Sequence, residues 1–192
     1  MTENKDNLSS DWGPLAPLPG NPLMWVLILG ELAVFTAFFG FYAGARFAEP
    51  QLFQASQQML NPVAGGVNTM VLLTSGLFVA MAVEALADDD VVAGGRWLLS
   101  GLALGTVFCA IKVIEYSVKI DQGLTPATNT FFTYYYMLTG FHFIHVVVGL
   151  VLLGLVAIRR FTTLENVETV AAFWHMVDLI WIFLYPMLYL LR

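Results

Sequence analysis

The chain has 192 residues, of which 58% are hydrophobic and only 11% are charged, and its formal net charge is −6. Soluble domains carry about 25% charged residues, so this composition is typical of an integral membrane protein. The acidic balance argues against nucleic-acid binding, which requires a basic patch.

The first 22 residues, MTENKDNLSSDWGPLAPLPGNP, are polar, acidic and rich in proline. The stretch lacks the basic n-region and the short apolar h-region that mark a cleavable signal peptide. We therefore expect residues 1–22 to form a flexible polar tail that leads into a retained membrane span.

Five apolar segments follow, and each is long enough to cross a bilayer as a helix, which takes about 20 residues. The predicted spans are residues 23–45, 66–87, 97–118, 131–158 and 170–191. Aromatic residues near their ends, including TFFTYYY and Tyr189, fit interfacial belts. A span in lipid must satisfy its own backbone hydrogen bonds, and the alternating segments of a membrane β-barrel are missing. The sequence thus predicts an all-α fold, a polytopic membrane bundle of five transmembrane helices over residues 23–192.

Basic residues outside the spans are divided between the two sides of the predicted bundle. One side carries Lys5, Arg96, Arg159 and Arg160, and the other carries Arg46, Lys119 and Arg192. The adjacent pair Arg159–Arg160 tips the positive-inside rule toward a cytoplasmic N-terminus and a periplasmic C-terminus. We expect a multi-pass protein of a bacterial inner membrane.

Several ionisable residues lie inside the predicted spans, where they are functional-site candidates by default. They are Glu31 in the first span, Lys112 and Glu115 in the third, His142 and His145 in the fourth, and His175 and Asp178 in the fifth. The two residues from each of the third, fourth and fifth spans stand three positions apart, so each pair shares one face of its helix. The third-span pair can form an ion pair.

The first interpretation of these residues is structural. Polar groups on neighbouring helices would hydrogen-bond one another, in a buried network of Glu115, His142, His145, His175 and Asp178. His175 and Asp178 would then fasten the fifth span to the fourth. Glu31 has no obvious partner in the sequence, so a role as a proton-active or partner-facing carboxylate is equally open for it.

Two other interpretations make the chain a free-standing membrane protein. In one, His142 and His145 with His175 opposite would bind a metal or haem, although the ExxH repeat of a di-iron bundle is missing. In the other, the polar residues would line a transport pathway, although no pair of glycine- or proline-broken helices indicates an inverted repeat. The single cysteine, Cys109, excludes an internal disulfide, a binuclear copper site and an iron–sulfur cluster built by this chain.

Three stretches in the first half of the bundle match helices of a known family. GELAVFTAFFGFYAGAR resembles a helix that carries a buried glutamate, at Glu31, and NTMVLLTSGLFVAMA resembles the next helix, with Asn68 at its entry. IKVIEYSVKIDQGLTP carries a glutamate–tyrosine pair at Glu115 and Tyr116.

Two further motifs are specific, and they occur in the family's order. TGFHFIHVVVGL resembles a TGxHxxHVxxG element with its histidines at His142 and His145. FWHMVDLIWIFLYPMLYL resembles a terminal WHxVDxxWxxLY element, at Trp174, His175, Asp178 and Trp181. On these motifs the chain resembles subunit III of the haem–copper oxidases, the cytochrome c oxidase subunit III family.

The resemblance implies an accessory subunit that is not an enzyme by itself. Such a subunit has no catalytic, metal-binding or cofactor-binding residues, and haem with copper or iron resides in the partner, the catalytic subunit I. It packs on that subunit, supports its stability and proton uptake, and protects it during turnover. The family glutamate faces a cleft that holds phospholipid, so membrane lipids are expected partners.

The chain departs from the long family members, which have seven spans, because it has five and lacks the first two. Five-span forms resemble subunit III of quinol oxidases or the homologue associated with nitric oxide reductase. The acidic tail, FTYYYMLTGFHFIH and the ending FLYPMLYLLR are closer to the latter form. The resemblance therefore leaves open a partner that is the large subunit of nitric oxide reductase, with a place in denitrification.

Overall fold

The computed structural model describes residues 20–158 and 162–191. Most of the predicted tail and the Arg159–Arg160 pair, on which the predicted orientation depends, lie outside the described residues. The described part contains α1 (Pro22–Ala48), α2 (Pro50–Gln57), α3 (Pro62–Ala87), α4 (Val91–Asp121), α5 (Thr130–Ala157) and α6 (Leu164–Tyr185), followed by a π-helical turn, Pro186–Leu190. Five of these helices, all except α2, are long and apolar enough to cross a membrane. The prediction of an all-α bundle with five membrane-spanning helices is confirmed.

Polar caps determine where the spanning helices begin. The Asn61 side chain accepts hydrogen bonds from the first-turn amides of α3, and Asn21 and Asn129 cap α1 and α5 in the same way. Proline follows Asn21 and Asn61, where its fixed φ suits the first helical position. Helices α3, α4 and α6 begin ahead of the predicted spans, at Pro62, Val91 and Leu164, directly after their polar cap residues Asn61, Asp90 and Thr163.

Helix α2 lies within a segment that the sequence indicated only as a connection. Its Phe53 ring is fully buried, with its centroid 5.3 Å from that of Tyr42 and 5.5 Å from that of Phe131. The Gln57 amide donates hydrogen bonds to the carbonyls of Met187 and Leu188 in the π-helical turn. This short helix therefore closes one end of the bundle.

Helix α6 is the central element of the bundle, since it packs against α3, α5 and α1. Small residues allow the close approach that membrane helices require. The Ser75 hydroxyl of α3 donates to the Gly101 carbonyl of α4 at 2.6 Å. The fully buried Trp174 of α6 lies against Gly105 of α4 and Gly149 of α5. These contacts determine how each helix is rotated about its axis, and so where its polar residues lie.

Candidate functional site

The structure distributes the predicted site residues over three separate clusters and one isolated position. The predicted network of Glu115, His142, His145, His175 and Asp178 is wrong, because no hydrogen bond or ion pair joins these residues across helices in the described part of the chain. Within the part of the chain that the structure describes, the one ion pair inside this set is the local pair of His175 and Asp178.

The first cluster joins α1 to α5 through Glu31 and His145. Glu31 Oε2 lies 3.1 Å from His145 Nε2, so the glutamate that had no obvious partner in the sequence has one in the fold. His145 Nδ1 lies 2.8 Å from the Phe141 carbonyl and therefore carries a proton, because a carbonyl only accepts. The Glu31 side chain is 26% exposed, whereas its Oε2 atom, which lies against His145, is buried.

The second cluster surrounds the ion pair of Lys112 and Glu115, which the spacing within α4 predicted. Lys112 Nζ lies 3.0 Å from Glu115 Oε2. The Tyr189 and Tyr135 hydroxyls donate to Glu115 Oε1 at 2.6 and 2.9 Å, and Lys112 Nζ also reaches both hydroxyl oxygens, at 3.2 and 3.4 Å. The ammonium lies 4.9 Å from the ring centroid of Tyr116. The cluster therefore satisfies both charges inside the bundle.

Tyr135 and Tyr189 are residues whose role the sequence did not indicate. Both fall in aromatic stretches that resemble interfacial belts, yet Tyr135 is fully buried and Tyr189 is 2% exposed. The sequence does indicate that Tyr135 is buried, because Tyr135 stands one helical turn before Thr139 on a face of α5 that also carries His142. For Tyr189 no such signal exists, because the π-helical turn that begins at Pro186 changes the helical phase.

The third cluster pairs His175 and Asp178 at the outer surface of α6. Asp178 Oδ2 lies 3.8 Å from His175 Nδ1, and the His175 side chain is 45% exposed. The carboxylate fits over Gly76 of α3, where an added Cβ would collide with Asp178 Oδ2. The prediction that these residues fasten the fifth span to the fourth is corrected, since they pack against the second span.

His142 stands apart from all three clusters. It is fully buried, and its ring stacks on Trp181 with centroids 5.1 Å apart and meets the edge of Phe108 at 5.9 Å. Neither ring nitrogen has a hydrogen-bond partner. His142 and His145 face different neighbours although they stand three residues apart. Within residues 20–158 and 162–191, no three His, Cys, Asp or Glu side chains converge in a way that could hold a metal ion.

Comparison with known proteins gives the family. Residues 21–192 match the sequence profile of the family described as Cytochrome c oxidase subunit III. The chain belongs to the cytochrome c oxidase subunit III family. It is 31% identical over 173 residues to cytochrome c oxidase subunit 3 of Synechocystis, covering 86% of this chain and 73% of that relative.

Other relatives of the subunit III family carry similar names. The chain is 35% identical over 132 residues to cytochrome c oxidase subunit 3 of Thermostichus vulcanus, covering 65% of this chain and 64% of the relative. It is 27% identical over 173 residues to the probable cytochrome c oxidase subunit 3 of Mycobacterium bovis, covering 87% and 85%. Membership of the cytochrome c oxidase subunit III family confirms the resemblance drawn from the motifs, and with five spanning helices it identifies a multi-pass membrane protein.

Proposed function

We propose that this chain is a non-catalytic accessory subunit of a respiratory haem–copper oxidase. It packs on the catalytic subunit, which holds the haem, copper or iron, and it supports the stability and the proton uptake of that subunit. The observation that carries the proposal is the family match over residues 21–192. The names of the relatives favour an oxidase over a nitric oxide reductase.

The Glu31–His145 pair supports the proposed part in proton uptake. It places Glu31 Oε2 3.1 Å from His145 Nε2, and the Glu31 side chain is partly exposed at the bundle surface. Carboxylate and imidazole groups can take up and release protons, and a partly exposed one can exchange a proton with a neighbouring chain. The pair thus offers a proton-active site without a cofactor.

Membrane phospholipid is a further proposed partner. An apolar cleft of about 470 Å³ opens between α1, α3 and α6 and is lined by Trp25, Ile28, Leu32 and Met176 among others. An acyl chain matches the chemistry of this lining.

We propose the orientation with the N-terminus in the cytoplasm and the C-terminus in the periplasm of a bacterial inner membrane, which reporter fusions at the two termini test directly.

Affinity purification of the tagged chain from its native membrane in mild detergent tests the proposed function. We expect a catalytic haem–copper subunit to accompany the chain in near-equal amount, as mass spectrometry of the purified sample would show. Recovery of a nitric oxide reductase large subunit instead would favour the second candidate, an accessory subunit of nitric oxide reductase. The acidic tail, FTYYYMLTGFHFIH and FLYPMLYLLR, which resemble that form, support this candidate. Recovery of the chain alone would contradict both, and its histidines would then be tested for bound metal or haem.

We expect Glu31→Gln to leave assembly intact but to slow proton uptake or shorten the turnover lifetime of the complex. The glutamine amide can still donate to His145 Nε2, so the contact between α1 and α5 persists, whereas a glutamine cannot take up or release a proton. Oxygen-consumption progress curves over many turnovers measure the effect. Glu84→Gln, an exposed residue near the end of α3, is the matched control. Unchanged curves for Glu31→Gln would count against the proton-active role.

We expect Asp178→Ala to lower the amount of complex recovered more than it lowers turnover per assembled complex. The substitution removes the carboxylate that covers Gly76 and leaves His175 without its partner, and breaking a buried polar pair is costly. The yield of tagged complex and the turnover per haem separate the two effects. Normal yield with abolished turnover would contradict the prediction.

A further inference from the structure

A groove on the outer surface of the bundle runs between α3 and α6, and we call it the Gly76 groove. It has a volume of about 290 Å³ and is lined by Leu73, Gly76, Leu77, Ala80, His175, Asp178, Leu179 and Ile182. It lies on a different face from the contact between Glu31 and His145, which α1 and α5 form.

The α3 side of the groove has the shape of a helix-docking surface. Gly76 and Ala80 stand four residues apart, in the small-xxx-small pattern that lets two membrane helices approach closely. Large apolar side chains form the rim, since Leu77 is 57% exposed and Leu179 and Ile182 are each 43% exposed. A helix lying in the groove would therefore contact Gly76 and Ala80 and would cover these apolar side chains.

A second observation, independent of the small residues, points to a polar ligand. Asp178 lines the groove and is only 6% exposed, yet its Oδ1 atom has no hydrogen-bond partner. His175, beside it, is half exposed. A buried carboxylate oxygen without a partner is costly, and so is an imidazole that faces lipid beside it, so the His175–Asp178 pair needs a hydrogen-bonding group from outside the chain.

The depth of the pair decides what kind of molecule supplies that group. His175 and Asp178 lie about 8 and 12 Å along α6 from Val170, where the apolar span begins, at about 1.5 Å per residue, whereas the hydrocarbon core of a bilayer is about 30 Å thick. The pair therefore lies inside the hydrocarbon core, below the lipid headgroups and among acyl chains, which offer no hydrogen bond. A side chain on another transmembrane helix is the group that fits.

We propose that the Gly76 groove receives one transmembrane helix of the catalytic subunit. That helix presents a small residue to Gly76 and Ala80 and a hydrogen-bonding side chain to the His175–Asp178 pair. The inference rests on the proposed function, since it names the face through which the accessory subunit packs. It also gives a reason why the two polar residues lie at the outer surface of α6.

Photocrosslinking in the intact membrane tests the contact. The photoreactive amino acid benzoylphenylalanine is placed at Leu77 or Ile182, which line the groove but not the proposed lipid cleft, and at Val151 of α5, which is 58% exposed, as the matched control. We expect crosslinks from the two groove positions to a helix of the catalytic subunit and none from Val151. Crosslinks from the groove to lipid alone, or to a second copy of this chain, would overturn the proposal.

A bulky substitution tests whether the contact matters for assembly. We expect Ala80→Trp to lower recovery of the catalytic subunit about tenfold relative to Val151→Trp, because the indole fills the space that the partner helix occupies. Both side chains are exposed on the isolated bundle, so the membrane level and the gel-filtration profile of the chain should match wild type. Likewise, His175→Leu should reduce recovery, and His175→Asn, which keeps a hydrogen-bonding group, should restore much of it.

The two proposals fail in different ways in these experiments. If the wild-type chain recovers no catalytic subunit, the proposed function is overturned and the docking proposal falls with it. If the wild-type chain recovers that subunit but Ala80→Trp and His175→Leu recover it equally well, the proposed function stands and the Gly76 groove is not the docking face.

Discussion

Glu115→Leu is expected to destabilise the chain by about 3–5 kcal/mol, the cost of leaving a buried charge without its partner. The charge is that of Lys112, whose side chain is 1% exposed and whose Nζ lies 3.0 Å from Glu115 Oε2. Loss of the carboxylate also leaves the Tyr135 and Tyr189 hydroxyls without the oxygen to which they donate. Thermal unfolding of the purified chain in mild detergent measures the change.

The double variant Lys112→Met, Glu115→Leu tests the cause of that loss. Replacing both partners of a buried ion pair by apolar residues of similar volume is often neutral, so we expect the double variant to regain most of the stability. Glu84→Leu, at an exposed site near the end of α3, is the control and should change stability by less than about 0.5 kcal/mol. A double variant as unstable as Glu115→Leu would show that the loss comes from packing and not from the unpaired ammonium.

The fold class and the contacts within single helices could be predicted from the sequence. Hydropathy gives the five spans because a membrane helix is defined by its length and its apolar composition. Spacing gives the pair of Lys112 and Glu115 because residues three apart on one helix are neighbours in any fold. The family could be identified because the motifs around His142 and His175 have a specific order and spacing.

The contacts between helices could not be predicted in the same way. Spacing shows that His142 and His145 share a broad face of α5, but the rotation of α5 against its neighbours decides what each residue contacts. That rotation places His145 against α1 and His142 against Trp181 of α6. It depends on side-chain packing across helices, which a pattern along one helix does not contain.

The sequence patterns also did not predict two local irregularities, the short helix α2 and the π-helical turn. Helix α2 is amphipathic and short, with little net hydrophobicity, so hydropathy indicated only a connection. Tyr189 reaches Glu115 from a π-helical turn, for which the ordinary helical period gives the wrong face. In both places a proline, Pro50 or Pro186, stands at the first position of the element, and this is the signal that a finer prediction would use.

Trp174→Ala is expected to cost about 3–5 kcal/mol of stability, because it removes a large, fully buried side chain at the centre of the bundle. The indole occupies the space that Gly105 of α4 and Gly149 of α5 leave open. A Cβ on Gly149 would lie 2.6 Å from Trp174 Cε3, and one on Gly105 would lie 2.8 Å from Trp174 Cη2. Trp97→Ala, at a partly buried tryptophan that packs on Phe78, is the control and should cost less.

Gly149→Ala tests whether Trp174 and Gly149 fit one another, and a double-mutant cycle measures the coupling. Alone, Gly149→Ala should destabilise the chain by about 1–3 kcal/mol, because a closely packed indole cannot move away without strain. Combined with Trp174→Leu, the added methyl group has room, so the double variant should be more stable than the sum of the single effects predicts. Thermal unfolding in mild detergent gives all four stabilities. Additive effects would show that this contact does not set the packing of α6 against α5, and the positions of the three polar clusters would then need another cause.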